Sequence, residues 1–219
     1  MRQLGLGVIF DLDNTLYRLR STDGTYEHSS LKVSVMQNAR SFVAAKLAIS
    51  ASAAERLLAE MPQDDLSLVF EAKYGIDRYE WFQNVWNVDP KPHIVSVDRR
   101  LPREIAKLKG RCLLLTSAPQ IWVRYVLRHL GLTHVFIGGA ITGEPDLRKP
   151  DQAVFLRAAT LLRREPSRIV SIGDQNSSDI VPAKSLGMKT IMVGPKQGDA
   201  DVRVDKAVQA IRQVLQWER

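Results

Sequence analysis

Apolar residues along this chain fall into two patterns. Unbroken runs predict buried strands: Leu4, Leu6, Val8, Ile9 and Phe10, then 111–116, 168–172 and 189–193. A shorter run at 134–137 predicts another strand, and 138–144 reads as a loop with room for a strand of its own. Elsewhere the spacing is helical. Val33, Met36, Ala39, Phe42, Val43 and Leu47 mark one helix over 31–47. Ser52 and Glu55 read as a capping box opening a second helix, which Met61-Pro62 ends. A third covers 66–74 and stops at Gly75; Asp77 and Glu80 open a fourth, which carries Tyr79, Trp81, Phe82 and Trp86. Residues 18–28 read as a loop and 87–93 as a linker.

From there strands and helices alternate. Helices are expected at Pro102, from Pro119 to Leu130, and over 151–162, 178–186 and 205–217. Such alternation implies an α/β fold, a doubly wound parallel sheet with helices on both faces. The division expected is a core of 1–17 and 93–219, with an all-helical insertion at 18–92.

Composition changes this picture little. The 219 residues are 45% hydrophobic and 25% charged, ordinary for a globular chain. The single Cys112 lies in an apolar run, so no internal disulfide is possible, which fits a cytoplasmic location. No apolar run is long enough for a membrane span, and no signal peptide is expected. The formal charge of +7 invites a nucleic-acid reading. The basic residues are scattered, however, so a solvated surface without specific nucleic-acid binding is expected. His28, His93, His129 and His134 show no metal-ligand spacing.

The chemistry concentrates at strand ends. The first strand runs into Asp11-Leu12-Asp13-Asn14-Thr15, and an open parallel sheet binds ligands at the carboxyl ends of its strands. Two carboxylates there repel unless a cation or donors compensate. The same residues suit a turn with Asx-type capping, so this stretch alone leaves both readings open. Thr116-Ser117 ends the second long apolar run. Lys149 precedes a helix, and the third run ends in Gly173-Asp174, with Asp179 five residues on.

Asp-x-Asp-x-Thr, a strand-ending Thr, a Lys, and Gly-Asp followed by a second Asp occur here in order. This set resembles the haloacid dehalogenase superfamily over essentially the whole chain, and it implies a Rossmann-like core with a helical cap. The resemblance implies that Asp11 is a nucleophile that becomes phosphorylated and Asp13 a general acid and base. It implies that Thr116 and Ser117 hold phosphate oxygens and that Lys149 balances charge at the nucleophile and the phosphate. Mg²⁺ would be bound by Asp11, Asp174, Asp179 and the Asp13 carbonyl. Asp13 favours phosphate transfer, since the superfamily's dehalogenases lack an acid at that position. Residues 10–17 and 77–87 further resemble the pyrimidine 5′-nucleotidase subgroup, although Ser117 and Ser178 stand where that subgroup usually has Asn. The expectation is a Mg²⁺-dependent phosphatase for a small-molecule phosphate monoester, possible nucleotide substrates included. The alternatives are a phosphomutase, a phosphoglycolate or sugar-phosphate phosphatase, and a non-enzymatic binding or regulatory protein. The sequence leaves the oligomeric state open.

Overall fold

Val8, Ile9 and Phe10 are screened from water in a computed structural model of the chain, which describes residues 5–62, 65–136 and 139–219. They lie in β1 (Gly7–Phe10), the first strand of the sheet; Leu4, which also counted toward that run, lies outside the described residues. The chain divides into two compact units, one of residues 1–18 and 94–219 and one of residues 19–93. Short strands β2 (Arg18–Leu19) and β3 (Ile94–Ser96) mark the chain crossings, where no strand is expected from sequence.

Residues 19–93 form helices α1 (Ser30–Leu47), α2 (Ala51–Glu60), α3 (Leu66–Tyr74) and α4 (Arg78–Val85). Leu31, Val35, Ala39 and Val43 recur on the buried face of α1, which packs on α2 and α4. Trp81 stacks on Phe70 at a centroid distance of 5.0 Å. The helix starts follow capping chemistry: Asp77 accepts from the Glu80 amide at 2.8 Å. The cap of α2 is Ser50 rather than Ser52. Ser50 has the extended backbone a cap needs and accepts from the Ala53 amide at 3.2 Å, whereas Ser52 is already helical. The two ends of this unit meet. The Arg20 amide donates to the His93 carbonyl at 2.7 Å, and Arg20 Nε donates to the Pro92 carbonyl at 2.9 Å.

The other unit is a six-stranded parallel sheet flanked by helices. Its elements continue with α5 (Leu101–Ala106), β4 (Cys112–Leu115), α6 (Gln120–His129), β5 (Ala140–Ile141) and α7 (Gln152–Leu162). Then come β6 (Ile169–Gly173), α8 (Val181–Ser185), β7 (Lys189–Val193), β8 (Val202–Val204) and α9 (Ala207–Trp217). The strand order is β5-β4-β1-β6-β7-β8. The chain thus builds outward on one side of β1 and then on the other, and this reversal opens a crevice at the carboxyl ends of the central strands. The register levels those ends, since Phe10 pairs with Leu114 on one side and Ile172 on the other. Ile9, Leu113, Leu115, Val154, Phe155 and Ala158 form one packed cluster beneath α7. No described helix is long and apolar enough to cross a membrane.

Two further expectations need correction, and one strand is added. His134 and Val135 lie in a turn rather than a strand, and the sheet contact is made by β5 after Gly139; Ile137 lies outside the described residues. The helix expected over 178–186 opens as a π-turn, Asn176–Ile180, before α8. Pro182 has no N–H for a regular helical bond to Ser178, which accounts for the irregular start. Finally, β8 is an additional edge strand, with Val202 and Val204 only half-buried.

Candidate active site

The site grows from the end of β1. The Asp11 amide donates to the Ile172 carbonyl at 2.9 Å, which ties the turn after β1 to β6. Asn14 takes a left-handed backbone conformation, φ 60°, and folds Thr15 back toward Asp11. Thr15 Oγ1 donates to Asp11 Oδ2 at 2.9 Å. The other Asp11 oxygen accepts from Lys149 Nζ at 2.6 Å, and that same ammonium reaches Asp179 Oδ1, also at 2.6 Å. All three groups are buried. Burial opposes the charge on Lys149, but Asp11 and Asp179 outweigh it and hold its pKa above the ordinary lysine value.

Asp179 reaches the site from the π-turn. Its second oxygen accepts from the Gln175 amide at 2.9 Å, and burial pushes its pKa up. Gly173 makes room for it: a Cβ there would lie 2.3 Å from the Asp179 carboxylate. Gly173→Ala is therefore expected to push Asp179 off Lys149 and lower kcat by about 100-fold, the scale for an ångström-sized misplacement. Steady-state kinetics beside a melting curve check this; a loss below threefold would show that the loop accommodates the methyl.

Asp174 completes the acidic group. One ligand oxygen from each of Asp11, Asp174 and Asp179 lies within 4.8 Å of the others. Lys196, from the loop after β7, donates to Asp174 Oδ2 at 2.6 Å. Asp174 Oδ1 is buried and, among the described residues, accepts no hydrogen bond. Burial, with Asp11 nearby, pushes the Asp174 carboxyl up to about 7. Among the described residues, three buried carboxylates face two lysines and one carboxylate oxygen has no donor; such a set fits a hard divalent cation with oxygen ligands. Asp11, Asp174 and Asp179 are the side chains that could hold it.

The Asp13 side chain is not one of those three, although the charges of Asp11 and Lys149 act on it. Its Oδ1 accepts from Trp122 Nε1 at 2.9 Å and from the Tyr17 hydroxyl. Burial raises its carboxyl to about 6, against the lowering effect of those two donors. Thr116 ends β4 at the same edge of the sheet. It is buried, and its Oγ1 accepts from the Ala118 amide at 3.1 Å; Ser117 is exposed. Thus Asp11, Lys149 and Asp179 are in direct contact and Asp174 joins the acidic group. Thr116 and Ser117 stand beside them without a described contact to the acidic group. No motif in the sequence marks Lys196 or Trp122 as a site residue. Lys196 follows Gly194-Pro195 in a loop with no recognisable spacing. Trp122 reads as one more core residue of α6.

Several known proteins resemble this chain. A haloacid dehalogenase-superfamily phosphatase from Thermococcus onnurineus is 26% identical, with a TM-score of 0.64, over 98% of this chain and 99% of that one. A 2-haloacid dehalogenase from Pseudomonas syringae shares the fold, at 24% identity and TM-score 0.62 over 98% and 100% of the two chains. The tyrosine-protein kinase PtkA of Mycobacterium tuberculosis is 37% identical over 98 residues, 44% of this chain. The chain thus spans about a third, 32%, of the length of the kinase it matches. Residues 6–187 match the haloacid dehalogenase-like hydrolases as a family, across β1, the acidic group and Lys149, and the chain belongs to that family.

Proposed function

We propose that this hydrolase is a Mg²⁺-dependent phosphatase that cleaves small phosphate monoesters through an aspartyl phosphate on Asp11. The observation that carries the reading is the buried Asp11 carboxylate, held between Lys149 and Thr15 and grouped with Asp174 and Asp179. When bound, the divalent ion would offset the charge of the phosphate and so let an anionic nucleophile approach it. Asp11 then supplies a carboxylate oxygen to phosphorus as the ester P–O bond breaks. Asp13 gives its proton to the departing oxygen, which leaves as an alcohol. In the second half Asp13 takes a proton from water, whose oxygen attacks phosphorus; inorganic phosphate and the free Asp11 carboxylate result. Lys149 stays charged throughout and stabilises the charge gathering between Asp11 and phosphate.

None of these groups reads the leaving group, so we assign selectivity to residues 19–93. Among the aromatic residues of α4, Trp81 and Phe82 are buried within that unit, whereas Tyr79 is 68% exposed. An exposed ring suits a planar base. The substrate class proposed is nucleoside monophosphates, pyrimidine ones first. Phosphate release from a panel of monoesters with Mg²⁺ tests both levels. Nucleotides are expected to lead in kcat/KM. A lead of about tenfold for phosphoglycolate or a hexose phosphate, near 1.4 kcal/mol, would overturn the nucleotide assignment alone. No release from any ester, or isomerisation without release, would overturn the phosphatase reading.

A further inference from the structure

Asp13 is held in an unusual way for a group asked to exchange protons. Its Oδ1 receives both the Trp122 indole N–H, at 2.9 Å, and the Tyr17 hydroxyl. The indole N–H also lies 3.2 Å from the Tyr17 oxygen, closing a triangle of three side chains. Trp122 is fully buried and Tyr17 is 3% exposed, so the donor side of these bonds is shielded from water. Among the described residues, none donates to Asp13 Oδ2. An indole N–H can only donate, so its partner oxygen must accept. Oδ1 already accepts two donors, so a proton placed there would have to displace one of them.

We propose that Trp122, with Tyr17, is a positioning residue that fixes the rotation of the Asp13 carboxyl group and leaves Oδ2 as its proton-exchanging oxygen. This rests on the acid–base role proposed for Asp13. The two anchors come from different parts of the chain. Tyr17 lies one turn beyond Asp13, and Trp122 lies in α6, the helix that follows Thr116. The Asp13 carboxyl group is thereby referenced to the strand end that carries Thr116. Free rotation about its terminal torsion would otherwise offer either oxygen to the leaving group, since such torsions are broad. Locking it favours one approach, as preorganised catalytic groups require.

The test compares alkyl phosphates, whose leaving oxygen needs a proton, with 4-nitrophenyl phosphate, whose leaving group needs one far less. For Trp122→Phe, the ratio of alkyl to nitrophenyl turnover is expected to fall about tenfold, a part of the general-acid contribution. Tyr17→Phe, a smaller change, should lower the same ratio in the same direction. Asp13→Asn, measured alongside, should lower it further. A merely structural role for Trp122 would depress both substrates equally, in step with a lower melting temperature. That outcome for both the Trp122 and Tyr17 variants, with the ratio still falling in Asp13→Asn, would overturn this proposal alone. An unchanged ratio in Asp13→Asn would overturn the acid–base reading and this proposal with it.

Discussion

Asp11→Asn is expected to lower kcat by about 10⁴-fold or more while the protein still folds, the scale seen when a covalent nucleophile is removed. The amide is nearly the same size and can still accept from Lys149 or Thr15, which now bond the two carboxylate oxygens. It cannot act as the nucleophile. The substitution also removes one of three crowded carboxylates, which relieves repulsion with Asp174 and Asp179, but it leaves Lys149 with a single anionic contact, to Asp179. These effects oppose each other, so the melting temperature should move little. Two measurements check the claim: turnover of 4-nitrophenyl phosphate, and acid quenching of the wild type during turnover to trap phosphate on the protein. A variant that keeps more than about 1% of activity would remove Asp11 from the nucleophile's place.

Chelation should abolish turnover, Mg²⁺ should restore it, and Asp174→Asn should raise the Mg²⁺ needed for half-activity by about 100-fold. Folding should respond in the opposite sense. In the metal-free protein the Asp174 carboxyl lies near 7, well above the ordinary 3.8, because it is buried. The folded state then binds more protons than the unfolded chain between these two values. Stability from this group is therefore fully present below about pH 4 and falls as pH rises toward 7. Asp13, raised to about 6 by burial, acts in the same direction over a narrower window. In chelator at neutral pH, Asp174→Asn should accordingly melt a few degrees higher than wild type, on the order of 1–3 kcal/mol. Excess Mg²⁺ should raise the wild-type melting temperature and leave the variant nearly unchanged. Equal responses of the two proteins to Mg²⁺ would exclude Asp174 as a ligand.

The sheet was legible in sequence because its central strands are buried on both faces. Val8-Ile9-Phe10, Leu113-Leu114-Leu115 and Ile169-Val170 need apolar residues at every position, and that leaves a run. β8 left none. Val202 and Val204 flank Arg203 at the edge of the sheet, in a segment too short to form a pattern. The opposite error arose at Val135-Phe136-Ile137, an apolar run whose described residues form a turn and its flank. Ser50 and Ser52 offer equivalent capping hydroxyls, and only backbone conformation chooses between them. The acidic groups were recognisable because carboxylates at the ends of apolar runs carry a desolvation cost that chemistry must justify. The contacts of Trp122 and Lys196 were not, because each depends on the meeting of segments 109 and 22 residues apart.

The meeting of Arg20 with His93 and Pro92 bears on how such a protein diversifies. A segment whose two ends are joined by a backbone hydrogen bond and a side-chain one leaves and re-enters the host chain at one address, and exchanging it requires no long bridging peptide. The packed cluster under the sheet takes all its residues from the host. Duplication and recombination can therefore trade one insert for another while the sheet and its packed cluster are inherited intact. A laboratory library restricted to residues 19–93 would search the same space and leave every residue of that cluster unchanged.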